Sequence, residues 1–331
     1  MWFEKLFGFA EQNPEQVRKN LKLENGLICS LVNGQSYDPG VFELPSLADL
    51  RKIELPGKGK ISLSEVIGDV KKLHGEIENN GALFQAASQF NLLEMASPNA
   101  VPEDGVGIYD YDKTQGPACA IACGAGTVYR NYFVNVKGQI GQSASLQIDC
   151  LEDIEQYFSG SGTKLWNIKN GYCLAYAEGL DFIRQKMASL NFDEYEHLKG
   201  LLKVGIQYNA EVTAFPGKLK LTQVYCSGVP VAYSGISAEQ WEPFGKMILE
   251  ATYEATFLAA VNNMNKGGSN KLYLTLVGGG VFGNPDSWLY DAIMMNLKKF
   301  ADSGLDVKFV SYGAPKALVN QIINDFKKAV A

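Results

Sequence analysis

From residue 237 onward the chain alternates between helical and strand-like hydrophobic spacing, and that alternation restricts it to a layered α/β fold. Ser237 to Lys266 reads as one long helix. Ser237-Ala-Glu-Gln240 matches a capping box, Trp241, Phe244, Ile248, Ala251, Ala255 and Leu258 form an inner stripe, and Gly267-Gly268 ends it. Lys271 to Val277 is then a strand, a glycine-rich loop follows, Trp288 to Ala301 is a helix and Val307 to Tyr312 a strand. Pro315 opens a last helix, with Leu318, Ile322 and Phe326 facing inward. Upstream, the same reading gives a buried strand at Gly81–Ala86, helical spacing from Pro117 to Phe133, a helix from Gly171 to Leu190, and strands at Leu201–Tyr208 and Lys220–Cys226. The pattern predicts a largely parallel or mixed sheet flanked by helices, with any ligand beyond the carboxyl ends of the strands.

The 331 residues suffice for one enlarged domain or two smaller ones. Residues 1–60, punctuated by Pro14, Pro39, Pro45 and Pro56, read as an irregular N-terminal extension packed on the core. Gly57-Lys58-Gly59-Lys60 marks the boundary to a single α/β domain over 61–331. A net charge of −6 argues against broad electrostatic capture of nucleic acid or an anionic membrane. No apolar run approaches roughly 18 residues, and Glu4 and Lys5 do not suit a signal peptide, so a cytoplasmic location is expected. Six cysteines without a Cys-x-x-Cys pair, and two isolated histidines, match neither a disulfide framework nor a metal site; no metal and no cofactor is expected. His74 reads as a surface or capping residue and His197 as exposed loop. A monomer is the expected state.

Four segments carry candidate chemistry. Leu276-Val-Gly278-Gly279-Gly280-Val281-Phe282-Gly283-Asn284-Pro follows a strand and precedes a helix; its glycines allow close approach of a ligand, and its N–H groups can cradle an anion. It is neither a Walker loop nor a dinucleotide fingerprint, and a plain tight connection is the alternative. Gly68-Asp69-Val70 is a turn before a helix, where a cap is the plain reading. Ala86-Ala-Ser-Gln-Phe-Asn91 leaves a buried strand at its carboxyl end. Asp110-Tyr-Asp112-Lys-Thr-Gln115-Gly116-Pro117-Ala118-Cys119-Ala-Ile121 is an acidic loop running into a small-residue helix start. Arg130, in Tyr129-Arg-Asn-Tyr132, reads as half of a helix-surface salt bridge. Cys119 and Cys123 lie one helical turn apart, but no histidine stands near them in sequence to activate a thiol.

Taken in order, these four segments resemble the ligand-binding blocks of the macrodomain, the ADP-ribose-binding fold. Gly68-Asp69-Val70 is similar to its Gly-Asp-Ile/Val turn, and Gln85–Asn91 to a degenerate form of its Asn-Ala-Ala-Asn strand end. Gly116–Ile121 is similar to its glycine-rich helix entry, and Gly280-Val-Phe-Gly-Asn-Pro285 to its late loop. The matches span residues 67–312; insertions near 92–115 and 135–200 depart from the family pattern. The resemblance implies a three-layer macrodomain-like fold, enlarged as in the hydrolytic poly(ADP-ribose) glycohydrolases. It implies that Asp69 and Val70 hold the adenine and that Asn91 meets the distal ribose. Gln115, Gly116, Pro117, Ala118 and Cys119 would clamp the diphosphate from one side. Gly278, Gly279, Gly280, Val281, Gly283 and Asn284 would close on it from the other, with Phe282 packed on the distal ribose.

Cleaving an ADP-ribosyl bond needs a carboxylate beside the anomeric carbon. Asp112 is the first choice, Asp110 its partner, and Glu94 or Glu103 the reserves; the plain reading of Asp110-Tyr-Asp112-Lys is a solvated turn. The expected function is removal of ADP-ribose from a modified protein by water attack at the distal ribose. A non-catalytic ADP-ribose reader is the alternative, and an unrelated nucleotide-binding α/β enzyme a third. The expected partner is ADP-ribose or an ADP-ribosylated protein.

Overall fold

The computed structural model describes residues 1–55, 57, 59–160 and 162–330; Pro56 and Lys58, at the expected boundary, lie outside the described residues. A mixed seven-stranded sheet runs through it: β1 Val41–Glu43, β2 Ser62–Ile67, β3 Leu83–Ala87, β4 Gly205–Glu211, β5 Lys220–Cys226, β6 Lys271–Leu274 and β7 Asp306–Ser311. The spatial order is β1-β4-β5-β3-β6-β7-β2. The five strands β5, β3, β6, β7 and β2 are mutually parallel, whereas β4 runs antiparallel to both neighbours. The expected α/β class with helices on both faces is what the chain adopts.

Burial explains the centre of the sheet. In β3, Leu83, Phe84, Gln85 and Ala86 are all buried, as both-faced covering requires. Phe84 stacks on His74 of the Val70–His74 helix, and Gln223 bonds His74 and the Cys119 carbonyl, so these side chains face one helical layer. Gln85 and Thr222 point to the opposite layer, donating to Thr256 and Asn263 of the long Ala238–Asn265 helix. That helix packs between the Ala177–Ala188 and Asp286–Lys299 helices. Ser237 stands at its N-cap, but the hydroxyl makes no cap bond and pairs with the Glu239 carboxylate, so the expected capping box does not form.

Other elements differ from expectation for identifiable reasons. Gly171 to Leu190 is not one helix. Tyr172–Ala175 pairs with Trp166–Lys169 across a two-residue Asn170-Gly171 turn with both residues at positive φ, and the helix begins only at Ala177. Asn-Gly is the strongest local hairpin signal, and it overrides the helical spacing. Pro117 to Phe133 divides into the helices Gln115–Ala122 and Gly124–Tyr132, because Thr213 takes the Gly124 N–H at 2.8 Å and the chain bends at Cys123. β6 stops at Leu274, since the Thr275 N–H turns to the Gln85 side chain. His74 is fully buried rather than at the surface, with Nδ1 on the Val70 carbonyl. Burial lowers its pKa to about 4 and leaves it neutral. His197 is exposed but lies on the Phe192–Gly200 helix.

Within residues 1–60, short helices and a three-stranded hairpin sheet form, and Val41–Glu43 supplies the edge strand β1. Phe3, Leu6, Phe7, Val17 and Ile28 build a second small core with Val106, Tyr109, Ala120 and Tyr132. Glu11 reaches from this segment to accept from the Val106 and Gly107 N–H groups and the Tyr132 hydroxyl, at 3.0, 2.5 and 2.6 Å. Trp2 N donates to Asp110 at 2.8 Å. Among the described residues, no helix is long and apolar enough to cross a membrane.

The main core centres on the long helix, where Phe257 is fully buried and stacks on Phe300 at 5.2 Å. Phe257→Ala is expected to lower stability by about 3–5 kcal/mol, read as a lower urea midpoint at unchanged slope. Phe192→Ala, at a side chain 76% exposed, should leave the midpoint nearly where it is.

Candidate active site

All five parallel strands deliver their carboxyl ends to one edge of the sheet. There β3 and β6 separate: β6 pairs with β3 only at Leu83 and Phe84, whereas β5 accompanies β3 as far as Ala87. The ladder positions that a continued β6 would occupy are filled by one side chain. Gln115 accepts from Ala87 N at 2.9 Å and donates to the Gln85 carbonyl at 2.8 Å. The split above this plug is the cleft, as sheets of this class dictate.

The cleft has two chambers of about 420 and 370 Å³ that share Asp112, Thr114, Gln115, Thr275 and Leu276 as a common wall. The first chamber contains Asp69, Val70, Asp110 and Ala118, with Tyr312 at its rim, and three lysines, Lys71, Lys113 and Lys316, balance its three aspartates. The second contains Glu94, Gly116, Pro117 and residues 278–282. Its wall is aromatic: Phe282 lies 5.6 Å from Tyr172 and 5.7 Å from Tyr233 between ring centroids.

Asp69 caps the Val70–His74 helix, accepting from Lys71 N at 2.9 Å. Both the cap expected from sequence and the cleft position are therefore met by one residue. Between the chambers the Gln115–Ala122 helix begins without a side-chain cap, and its Gln115 and Gly116 N–H groups have no acceptor among the described residues. This is the ordinary state of a first helical turn and favours an anion. Across the cleft the Gly280 and Val281 N–H groups are likewise without an acceptor among the described residues. Gly278 holds the loop in shape at φ 82°, with its carbonyl taken by the buried Asn284 amide at 2.7 Å. Asn284 thus supports the loop from behind, and Cys119, fully buried, lies beneath the helix entry with its thiol pKa pushed up by burial. Cys123 is equally buried, so neither thiol is poised as a nucleophile.

The carboxylates are not equivalent. Asp110 lines the first chamber and holds Trp2 N. Asp112 borders both chambers and caps Thr114 N at 2.8 Å. Glu103 is used away from the cleft, where both its oxygens accept from Ala144 N. Glu94 is 4% exposed and faces the second chamber. Burial pushes its pKa up to about 8 against the partial opposition of Arg130 and Ser88, and Oε1 has no hydrogen-bond partner. At neutral pH this carboxyl keeps its proton, the state a general acid needs. The sequence ranked Glu94 below the loop aspartates because nothing local announces its burial.

Asn91 is not brought to the cleft. It is fully buried, accepts from Leu93 N at 3.1 Å and donates to Gln147 at 2.8 Å. Arg130 is not on a helix surface either: it is 1% exposed, and its guanidinium lies 3.5 Å from the Tyr225 ring centroid. Nothing local in the sequence marks Tyr172 or Tyr233, whereas Tyr312 directly follows a strand end, the position where such sheets place ligand contacts.

No family model and no curated protein matches the chain. Among solved structures it is similar to poly(ADP-ribose) glycohydrolase from Deinococcus radiodurans in complex with ADP-ribose, at 11% identity over 87% of this chain and 94% of that one, with a TM-score of 0.47. It is also similar to poly(ADP-ribose) glycohydrolase from Thermomonospora curvata, at 12% identity over 95% of this chain and 97% of that one, with a TM-score of 0.46.

Two outcomes follow from this geometry. A methyl group at Gly116 would collide with the Ala87 carbonyl and with Glu94 Oε2. Gly116→Ala should therefore destabilise the protein by about 1–3 kcal/mol and displace Glu94, checked by urea unfolding. The raised Glu94 pKa also sets a pH dependence. Between its ordinary value of 4.5 and about 8 the folded protein holds a proton that the unfolded chain releases. This stabilising contribution is complete below 4.5 and is lost as pH rises through about 8. The urea midpoint of Glu94→Gln should accordingly fall less than that of the parent between pH 5 and 9.

Proposed function

We propose that the chain binds ADP-ribose along the two-chamber cleft and hydrolyses an ADP-ribosyl glycosidic bond at the Glu94 end. The observation that carries this reading is the continuity of the cleft. A carboxylate and an exposed aromatic ring stand in the first chamber, and N–H groups without an acceptor among the described residues, from a helix start and a glycine loop, lead into the second, which also holds a buried carboxyl of raised pKa. Those features match, in order, the donors and surfaces an adenosine diphosphate ribose requires. Asp69 accepts from the adenine amine and Tyr312 offers its ring face. The N–H groups of Gln115, Gly116, Gly280 and Val281 receive the diphosphate, so that a net-negative protein binds an anion through oriented backbone dipoles. Phe282 packs on the distal ribose.

In the proposed reaction Glu94 gives its proton to the leaving oxygen as the bond to the anomeric carbon breaks. The positive charge developing on the ribose is met by Asp112, and a water then adds its oxygen to the anomeric carbon. Its released proton restores Glu94. Asp110, committed to Trp2, belongs to the chamber wall. The engagement of both loop aspartates in backbone caps favours, as a second reading, a module that binds ADP-ribose without turning over a substrate.

Calorimetric titration with ADP-ribose and release of ADP-ribose from an ADP-ribosylated protein separate the cases. Asp69→Ala should weaken ADP-ribose binding about tenfold or more. Glu94→Gln should lower turnover about 100-fold or more while ADP-ribose affinity stays within about threefold. Binding without turnover in the parent protein would select the reader; a folded parent that does not bind ADP-ribose overturns the assignment.

A further inference from the structure

Glu94 reaches the cleft from an unusual piece of backbone. Leu92, two residues before it, is fully buried and adopts φ 64°, a left-handed conformation that branched side chains avoid. Such strain persists only where the surroundings over-determine it, and it concentrates at functional sites. Here the surroundings can be named. Leu92 N donates to the Gln89 carbonyl at 2.9 Å, Leu93 N to Asn91 at 3.1 Å, and Glu94 N to the Tyr109 hydroxyl at 3.1 Å. From beneath, Arg130 Nε donates to the Leu92 carbonyl at 3.2 Å.

Arg130 itself has no ion-pair partner within 4.0 Å among the described residues. Its other donors go to Gln207 at 3.3 Å and Thr127 at 3.2 Å, and its plane rests on the Tyr225 ring. A buried guanidinium without a carboxylate at contact distance is costly, and replacing it by an apolar residue would serve packing as well. We infer that Arg130 is a positioning residue for Glu94: it pins the left-handed turn that presents the carboxyl to the cleft and supplies the buried positive charge that faces it. The inference rests on the proposed reaction only for its catalytic consequence. The groups that act on Glu94 electrostatically from the packed elements are the cation Arg130, the acid Asp112 and the hydroxyl of Ser88. Tyr109, Tyr172, Tyr225, Cys119 and Cys226 also feel its charge, and burial raises the pKa of each.

The test uses the full chain and reads Glu94 directly. Carbon NMR of glutamate carboxyls, with Glu94→Gln to assign the resonance, follows the Glu94 titration in the parent, Arg130→Met and Arg130→Lys. Arg130→Met should move the midpoint upward by about one pH unit or more. Arg130→Lys keeps the charge but cannot reproduce the Nε geometry, so its midpoint should stay near the parent value. Both should lower kcat about tenfold or more, with ADP-ribose affinity within about threefold. If Arg130→Met does not fold, Arg130→Gln takes its place in the titration, with the same expected upward shift; a folded lysine variant with unchanged kcat overturns the inference. A folded Arg130→Met with an unmoved Glu94 midpoint does so as well. Absence of turnover in the parent would instead overturn the proposed reaction, and the titration would still judge Arg130.

Discussion

The cleft exists because two neighbouring parallel strands part company, and the Gln115 amide makes that separation tolerable. A buried central strand cannot leave its peptide groups unpaired at the point where its neighbour turns away. Gln115 meets one N–H and one carbonyl of β3 as a strand would, while the Gln85 side chain accepts from Thr275 N on the β6 side. The two amides hold both banks of the cleft to a single strand. The helix start at Gln115 and the glycine loop are thereby fixed relative to each other by bonds that run through β3 rather than through solvent.

The same economy governs the charges. The polar groups lining the cleft are backbone N–H groups, half-buried aspartates and one carboxyl whose pKa burial raises to about 8; the proposed function assigns recognition to them. That suits a chain of net charge −6, whose long-range field repels anions, because oriented dipoles act only at close range. The three lysines at the first chamber are matched by three aspartates, so that chamber carries no excess of either charge.

What was legible in the sequence was local. Asp69 follows a strand and precedes a helix, and the late glycine loop sits between a strand and a helix; both can be recognised from turn chemistry, and both fall where strands end. The strand at Lys220–Cys226 and the long helix after Ser237 follow from hydrophobic period alone. What was not legible depended on distant partners. Glu94 is distinguished from Asp110 and Asp112 only by burial among Tyr109, Arg130 and the aromatic wall, which come from other parts of the chain. Asn91 fits a ligand motif by type, yet the insertion supplies Gln147 to occupy its amide. Arg130 has the spacing of a surface residue and becomes internal because Tyr225 offers a ring to cover it. The Asn170-Gly171 hairpin is a different kind of miss, a local signal outvoted by a longer but weaker periodicity.

The contacts from Trp2 and Glu11 to residues 106–110 also bear on how the cleft comes into being. The Trp2–Asp110 bond joins positions 108 apart in sequence, and Glu11 spans 95 and 96 to the same loop. Closing a loop of that size carries a large entropic cost that is met only when the second small core assembles around Phe3, Phe7 and Tyr109. The pairing of Ser62 with Asp306 across the sheet spans more than twice that distance, so the wall bearing Asp110 and Asp112 draws on the first part of the chain alone, and a ribosome must have released well over a hundred residues before the first few find their place.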